Sequence, residues 1–257
     1  GPMTASTRPA AGGNVPFLDL YGAWFQQDPH AALRACRDQS FYADTALGPA
    51  ILGYEEVQAV TTSRQFRTPG ADFLAMQGIS SGPLLTMMQG FLLNTDGAPH
   101  DRVRRLVSKT FTGSRVESFR PTLRALAQEL AAGLGGKSSD FVAAFADPFA
   151  LRALCTFVGI PVAEAEQVAR WTSDISLVFG MSVAQHVTRI QSALAQLNLY
   201  VDELLRARRA APGDDLLSAL IAAEETGDLL SDAELRSLLV TFLAAGHHTT
   251  ESQLGNA

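Results

Sequence analysis

The sequence predicts a mainly α-helical fold with a small β-sheet, and three observations support this prediction. Apolar residues recur at helical spacing through most of the chain after residue 99, where Pro161 and Pro212 mark two helix ends. Two short stretches around one Gly-Pro pair have the composition of paired strands. The 257 residues are 47% hydrophobic and 18% charged, which is enough apolar content for a sizeable core.

The N-terminal part of the chain contains two predicted helices and a hairpin. One helix is expected over 28–39, which opens with an Asp-Pro pair, and the other over 54–63. FYADTA and AILGY flank a Leu-Gly-Pro turn and predict a short hairpin. Between 68 and 93 the apolar residues have no clean period, which fits either a poorly ordered loop or a flexible wall over an apolar ligand.

The rest of the chain is predicted to be a series of helices. They are expected over 99–110, 114–134, 147–158, 163–178, 183–210, 214–225 and from 231 to the end. SSDFV (138–142) is compatible with a lone strand, and EETGDLLS (224–231) predicts a tight turn or a small hairpin.

Composition and charge exclude several classes of protein. A net charge of −6 argues against a general nucleic-acid binder. Two cysteines are too few for a disulfide framework, so a cytoplasmic protein is expected. No apolar run approaches the roughly 20 residues that span a bilayer, so no membrane association is expected. Residues 1–16 are expected to be the scar of a removed tag and a disordered N-terminus, and 17–257 to belong to a single domain.

The segment NTDGAPHDRVRRLVSKTF (94–111) predicts a helix with two different faces. One face carries a histidine and an arginine among apolar residues: His100, Arg104, Val107 and Phe111. The opposite face carries three basic residues: Arg102, Arg105 and Lys109. An inward arginine needs an anionic partner, which is either an acidic residue of the chain or a bound carboxylate or phosphate. The basic face is either solvated surface or a docking site for an acidic partner.

The stretch LAAGHHTTESQ (243–253) lies in the last predicted helix, which begins at the capping box formed by Ser231 and Glu234. Along one line of this helix the side chains become smaller and then polar: Leu235, Leu238, Phe242, Ala245 and Thr249. Such a line leaves room for a flat group, and a threonine can bond back to the preceding turn. His247 and His248 are adjacent and expected to point about 100° apart, so no shared metal is predicted. The alternative interpretation is a plain helix–helix contact.

Taken together, in this order and at this separation, the two segments resemble the cytochrome P450 family of haem-thiolate monooxygenases. DGAPHDRVRRLVSKTFT resembles the family's C helix, and LLVTFLAAGHHTTES resembles its I-helix motif A-G-x-[DE]-T-[TS]. FADPFALRALCTFVGIP resembles the E helix, and DDLLSALIAAEETGDLLSDAEL the H helix and its connection to the I helix. The resemblance covers 17–257 and implies an incomplete cytochrome P450 fold that ends in the I helix.

The resemblance implies a role for each matched residue. His100 and Arg104 would neutralise haem propionates, and Ala245 and Gly246 would let the haem and dioxygen lie against the I helix. Thr249 would hydrogen-bond dioxygen at the haem and help to deliver protons. The substrate pocket would be lined by Phe73, Leu74, Met76, Leu84, Leu85, Met87, Thr241, Phe242 and Ala245. The redox-partner face would consist of Arg102, Arg105 and Lys109.

Two departures from the family pattern matter. His248 stands where the family has an acid, and an imidazole either relays protons in its place or does not. The chain stops before the family's E-x-x-R pair and its iron-ligating cysteine, and neither Cys36 nor Cys155 matches that position. No metal ligand is therefore expected in this chain, which should be inactive alone. It is either part of a longer protein or a naturally shortened relative.

The function implied by the resemblance is that of a bacterial-type monooxygenase of secondary metabolism. It would insert one oxygen atom of O2 into a hydrophobic small molecule, with haem as cofactor. Electrons would come from NAD(P)H through a ferredoxin reductase and a ferredoxin. The alternative is a haem-free relative that binds a partner enzyme as an auxiliary protein. The matched His100, Arg104 and Thr249 favour the enzyme, whereas the early end of the chain and His248 favour the alternative.

Overall fold

A computed structural model describes most of the chain. The described residues are 15–63, 65–136, 138–180, 182–225 and 227–257. They form two compact units, Gly1–Arg67 and Thr68–Ala257. The predicted disordered N-terminus falls almost entirely on residues 1–14, which lie outside the described residues.

The described part of the first unit forms three short helices and one hairpin, as the sequence predicts for all but the first helix. The helices are α1 (Ala23–Gln27), α2 (Pro29–Arg37) and α3 (Tyr54–Thr62), and strand β1 (Tyr42–Ala43) pairs antiparallel with β2 (Ala50–Ile51). The predicted start of α2 is confirmed, because the Asp28 side chain accepts a hydrogen bond of 2.9 Å from the Ala31 N–H. A small core packs α2 against β1 through Cys36 and Ala43.

The second unit begins with two short helices where no regular structure was predicted. They are α4 (Asp72–Met76) and α5 (Pro83–Gly90), followed by a 3-10 turn at Leu92–Asn94. Each helix has only one or two turns, which is too short for a hydrophobic period to show in the sequence. Both nevertheless bury apolar side chains in the main core, so this segment is neither a loose loop nor a wall that faces only a ligand.

The remaining helices confirm the predicted series, with ends shifted by a few residues. They are α6 (Gly97–Ser108), α7 (Gly113–Gly133), α8 (Asp147–Val158), α9 (Ala165–Ser176), α10 (Val187–Ala210), α11 (Leu216–Ala222) and α12 (Asp232–Gly255). The predicted small hairpin is confirmed, since β3 (Glu224–Glu225) pairs with β4 (Asp228–Leu229). The prediction of a lone strand at 138–142 is wrong, because a π-helical turn, Val142–Ala146, begins there and leads directly into α8.

The main core surrounds α12, which packs against α8, α9, α10 and α11. Each of these five helices contributes fully buried side chains, for example Cys155, Ile175, Leu197, Leu217 and Leu239. Burying one such aliphatic side chain contributes about 1.5–3 kcal/mol. No helix in the described ranges is both long and apolar enough to cross a membrane.

The predicted capping box fixes where α12 begins. The Ser231 hydroxyl accepts a hydrogen bond of 3.2 Å from the Glu234 N–H, and a Glu234 carboxylate oxygen accepts one of 2.8 Å from the Ser231 N–H. These two bonds satisfy N–H groups that the first turn of a helix leaves without a partner. The register of the helix, and so of every residue in the 243–253 stretch, is set from this point.

Candidate functional site

The buried side of α6 is not the one that the sequence predicts. Leu106, Val107 and Thr110 are buried, whereas Arg104 and Phe111 are exposed. The predicted face was extended to Phe111, but α6 ends at Ser108, so the helical spacing no longer applies there. Because Arg104 is exposed, the prediction that it faces inward is wrong.

Arg104 lies at an open depression on the exposed side of α6. The depression has a volume of about 450 Å³ and is lined by Asp101, Arg104, Arg105, Ser108 and Lys109. Among the described residues, no side chain or backbone group makes an ion pair or hydrogen bond with Arg104. One predicted alternative was that an acidic residue of the chain holds Arg104, and no acidic residue in the described ranges does so. His100, one turn earlier and partly exposed, has Nδ1 3.1 Å from Oδ1 of its neighbour Asp101.

Arg102, in contrast, is held by three groups of the chain. Its Nε and Nη2 donate to the Asp228 carboxylate at 2.5 and 2.7 Å, and its Nη1 donates to Glu234 at 2.5 Å. Nη2 also donates to the Leu229 carbonyl at 2.9 Å. The hydrogen bond from Arg102 is the main cause that holds the pKa of Asp228 below its ordinary value. Arg102 therefore joins α6 to the second hairpin and to the start of α12.

The predicted basic face of α6 is thus divided by the structure. Arg102 is engaged inside the chain, so the prediction that it belongs to a redox-partner face is not supported by its position. Arg105 and Lys109 lie on the same side as Arg104 and not opposite to it. What remains of the predicted face is a basic surface that surrounds Arg104.

The line of residues along α12 passes from the core to the surface. Leu235 and Leu238 are buried, Phe242 is half-buried, and Ala245 and Thr249 are exposed. The predicted back-bonding of the threonines is confirmed. Thr249 Oγ1 donates to the Ala245 carbonyl at 2.5 Å, and its neighbour Thr250 donates to Gly246 at 2.9 Å. The outer lone pairs of the Thr249 oxygen therefore face away from the helix and can accept a hydrogen bond.

Two contacts place α6 and the following turn alongside the first half of α12. Arg102 reaches Glu234 in the first turn of α12, and the Phe111 ring meets Phe242 edge-on, with centroids 5.4 Å apart. The length of chain from Arg102 to Phe111 is similar to that from Glu234 to Phe242. The two segments therefore run side by side in the same direction. The exposed line of α12 continues from Phe242 to Thr249.

Gly246 serves a different purpose from the predicted one. A Cβ atom at this position would come within 2.9 Å of Cδ1 of Leu154 on α8. The missing side chain thus lets α12 approach α8 closely, and it does not open space on the side of Ala245 and Thr249. Ala245 is small and exposed, so space for a flat group beside it stays a prediction.

The two histidines pack against each other, which the sequence did not predict. Their rings stack with centroids 4.4 Å apart and planes inclined by 26°, because the side chains turn towards each other from adjacent positions. His247 is buried, and its Nε2 lies 2.7 Å from Oδ1 of Asp147 at the start of α8. His248 has Nε2 3.2 Å from the Ser173 hydroxyl on α9 and Nδ1 3.1 Å from Glu251. The expectation that the rings diverge is wrong.

The predicted substrate-pocket residues do not all line a common space. Three of them are buried in helix packing: Leu74, Leu84 and Thr241. Four are half-buried: Phe73, Leu85, Met87 and Phe242. Met76 and Ala245 are exposed. The exposure of these residues differs because α4 and α5 are helical, and each helix packs only one of its faces against the core.

Gln77 is a residue that the sequence analysis missed. Its side-chain oxygen accepts a hydrogen bond of 3.1 Å from the Val183 N–H, which joins the end of α4 to the 3-10 turn at Val183–Gln185. Its amide nitrogen is buried and has no hydrogen-bond partner among the described residues. A lone polar residue between apolar neighbours was the only signal in the sequence that pointed to it.

Both cysteines are unsuited to bind iron. Cys36 and Cys155 are buried and unpaired, and burial raises the pKa of the Cys155 thiol to about 11. The Cys155 thiol is thus protonated at neutral pH and packed in the core, whereas haem iron in this class of site needs an accessible thiolate. The described residues therefore place neither cysteine as an axial ligand to iron, and Arg104 and Thr249 are exposed to groups from outside the chain.

Comparisons with known proteins agree on one family, the bacterial cytochrome P450s. No protein-family model matches the chain. Luteothin monooxygenase from Streptomyces thioluteus is 31% identical over 255 residues, which are 99% of this chain and 62% of that protein. Mycinamicin IV hydroxylase/epoxidase from Micromonospora griseorubida is 35% identical over 79% of this chain and 50% of its own length.

Solved structures give the same result for the fold. The structure of CalO2 superimposes with a TM-score of 0.80 at 28% identity, covering 95% of this chain and 62% of CalO2. Cytochrome P450 CYP109Q5 from Chondromyces apiculatus gives a TM-score of 0.76 at 26% identity, over 95% of this chain and 60% of its own. The chain belongs to the cytochrome P450 family, and it spans about half to three-fifths of the length of these relatives.

Proposed function

We propose that this chain forms the propionate-binding and proton-supplying part of a haem monooxygenase. The reaction would insert one oxygen atom of O2 into a hydrophobic small molecule. The observation that carries the proposal is Arg104, an exposed arginine without a partner among the described residues, one turn from His100 at an open depression. Two of the relatives are named after luteothin and mycinamicin IV. We infer a role in secondary metabolism, with a neutral and largely apolar molecule as the substrate.

The haem, when bound, supplies the activation of O2 by two electrons. Arg104 would hold one of its propionates through charge-assisted hydrogen bonds, which are stronger than neutral ones. His100 would donate a hydrogen bond to a propionate from the adjacent turn. The small side chain of Ala245 would let the flat ring lie close to α12. The thiolate ligand to iron would have to come from outside the described residues.

Thr249 would hold a proton for the oxygen chemistry at its Oγ1 atom. At present this hydroxyl donates to the Ala245 carbonyl, so it can accept a hydrogen bond from a water on its outer side. Rotation of the hydroxyl hydrogen would make it a donor towards the haem side. The threonine thus orients a water in one state and donates a proton in the other.

His248 would supply protons to this water from the far side of α12. The contacts of its two nitrogens form a short chain of exchangeable groups, Ser173–His248–Glu251. A histidine can accept a proton on one nitrogen and release one from the other. Because His248 lies between a half-buried carboxylate and a hydroxyl, it would take the place of the acid that the family pattern has at this position.

Electrons would come from NAD(P)H through a ferredoxin reductase and an acidic ferredoxin, in the cytoplasm. Arg105 and Lys109 lie on the exposed side of α6 and would attract such a partner. Arg102 lies outside this surface, on the side of α6 that contacts Asp228 and Glu234. Arg105→Glu or Lys109→Glu is expected to slow reduction by ferredoxin, most strongly at low salt, whereas Arg120→Glu on α7 is expected to have no effect.

A haemin titration of the purified chain tests the proposal. We expect binding that Arg104→Ala weakens, without the strongly red-shifted carbon monoxide spectrum that a thiolate ligand gives after reduction. A red-shifted band from this chain would contradict the assignment of Cys36 and Cys155 as non-ligands. Complete absence of haem binding would favour the alternative function, a haem-free protein that binds a partner enzyme.

The roles of Thr249 and His248 are tested in a form of the protein that carries an axial cysteine. Thr249→Ala is expected to keep substrate binding and to divert electrons from product to hydrogen peroxide. His248→Phe is expected to do the same if it relays protons, and His248→Glu to restore product formation. Full product yield per electron in His248→Phe would show that water alone supplies the protons.

A further inference from the structure

Three side chains on one side of α12 have the composition of a transition-metal site. His247, His248 and Glu251 each offer a ligand atom, and these atoms lie within 4.8 Å of one another. Nδ1 of His248 and Oε2 of Glu251 are already 3.1 Å apart. Two ligands of a tetrahedral zinc ion with bonds of about 2.0–2.2 Å are separated by roughly 3.3–3.6 Å, so this pair needs only a small movement to share an ion.

His247 gives a second and independent indication of a ligand. Its side chain is only 4% exposed, and its Nε2 contacts the Asp147 carboxylate, which can only accept, so Nε2 carries the proton. In the neutral imidazole Nδ1 is then an acceptor, and this buried atom has no hydrogen-bond partner among the described residues. A buried acceptor without a partner is unfavourable, and a cation on this side of the ring would satisfy it.

Both histidines also have the outer contacts of metal-ligating imidazoles. A histidine that binds a metal through one nitrogen usually donates from the other to a carboxylate, a carbonyl or another oxygen, which fixes the ring and its tautomer. Here Nε2 of His247 meets Asp147 on α8, and Nε2 of His248 meets the Ser173 hydroxyl on α9. In each ring Nδ1 is therefore the nitrogen that remains for an ion.

We propose that Nδ1 of His247, Nδ1 of His248 and the Glu251 carboxylate bind one divalent transition-metal ion of the zinc class, with water as the fourth ligand. Two imidazoles and one carboxylate favour Zn²⁺ over Mg²⁺ or Ca²⁺, which prefer oxygen ligands. The stacked rings must turn to aim both nitrogens at one point. His248, with 39% of its side chain exposed, has the freedom to do so. This site is separate from the haem iron, and its metal requires no haem. While the ion is bound, Nδ1 of His248 is occupied, so the proton path Ser173–His248–Glu251 proposed above operates only in the metal-free protein.

Calorimetric titration of the purified chain with Zn²⁺ tests the site. We expect one equivalent of saturable binding in the wild type. His248→Ala and Glu251→Gln should each weaken it at least tenfold, and Asp147→Asn, which acts only through His247, should weaken it about 10- to 100-fold. His30→Ala and His186→Ala are matched controls that remove a histidine elsewhere and are expected to leave the affinity unchanged. Mg²⁺ is expected to give no binding.

The result that overturns the proposal is the absence of saturable Zn²⁺ binding, or binding that Glu251→Gln and Asp147→Asn do not change. Glu251 and Asp147 are partly exposed, so these two variants keep the fold, and circular dichroism checks it. Cobalt provides a second readout, because Co²⁺ in a tetrahedral site of nitrogen and oxygen ligands has stronger visible absorption than the hydrated ion. Loss of that absorption in Glu251→Gln is expected, and its persistence would place the ion elsewhere.

Discussion

Arg102 and Arg104 lie two residues apart on α6, yet their environments are opposite. Arg102 binds two carboxylates and a carbonyl of distant segments, whereas Arg104 is exposed at an open depression and has no partner in the described ranges. The difference teaches that α6 has one side that fixes its position and another side that is available to a group from outside. Arginines on the two sides should therefore fail in different ways when they are replaced.

The helix α12 is divided in the same manner. His247 and Gly246 are committed to contacts with α8, through Asp147 and Leu154. Ala245 and Thr249, on the other side, are exposed. Replacements on the packed side should reduce the free energy of unfolding, and replacements on the open side should affect ligand binding or catalysis without reducing stability.

The largest expected effect on stability is at His247. His247→Ala removes a buried ring and its bond to Asp147, so it should lower the free energy of unfolding by about 2–3 kcal/mol in urea denaturation. The control is Thr249→Ala on the same helix, which should change it by less than about 0.5 kcal/mol because the side chain is exposed. Equal losses in both variants would remove the distinction between the two sides of α12.

Gly246 provides a sharper test of the same distinction, with a somewhat smaller effect. Gly246→Val should lower stability by about 1–3 kcal/mol, because its branches would collide with Leu154. Gly246→Ala should be close to neutral, since the end of the Leu154 side chain can shift and alanine favours the helix by about 1 kcal/mol. Gly246→Ala should also keep wild-type haem affinity, and a loss of that affinity would show that the glycine makes room for the cofactor.

The Arg102 contacts predict a pH-dependent loss of stability. The pKa of Asp228 lies below its ordinary value because of the Arg102 bond. Burial raises the pKa of Glu234, but hydrogen bonds from Ser231 and Arg102 outweigh burial and lower it. Carboxylates with lowered pKa values stabilise the fold above their ordinary values, about pH 4, and lose that contribution as pH falls through the lowered ones.

Arg102→Met should therefore melt at a lower temperature than the wild type at pH 7, and the difference should shrink as the pH falls below about 4. Thermal melting followed by circular dichroism measures this difference between about pH 3 and pH 7, a range that covers the titration of the carboxylates. Arg120→Met is the control, because among the described residues Arg120 bonds only to Glu117 on its own helix. A difference that is constant with pH would show that the Arg102 bonds do not link α6 to the rest of the chain.

The sequence was sufficient where structure is set by neighbouring residues. The starts of α2 and α12 follow from Asp28 and from the Ser231–Glu234 capping box, both of which act within one helical turn. It was insufficient for α4 and α5, which are too short to show a period. It also failed at 138–142, where a π-helical turn that continues into α8 replaces the strand that the composition allowed.

The candidate site shows the same limit more clearly. Helical spacing grouped Arg102 with Arg105 and Lys109, but the partner of Arg102 is Asp228, 126 residues away, and no local pattern contains that information. The stacking of His247 on His248 depends on Asp147, Ser173 and Glu251, which belong to three helices. Residue types and order in the sequence identified the right segments, and only the packing of those segments assigned each side chain to a side.

The most direct test of the central claim compares Arg104→Ala with Arg102→Met in one pair of measurements, haemin affinity and melting temperature. Arg104→Ala should weaken haemin binding by about 1.5–3 kcal/mol, roughly tenfold or more, and leave the melting temperature unchanged. Arg102→Met should lower the melting temperature and bind haemin with wild-type affinity at a temperature where it is folded. If Arg104→Ala destabilises the fold while haemin affinity is unchanged, Arg104 is a structural residue and the open side of α6 does not hold a haem propionate.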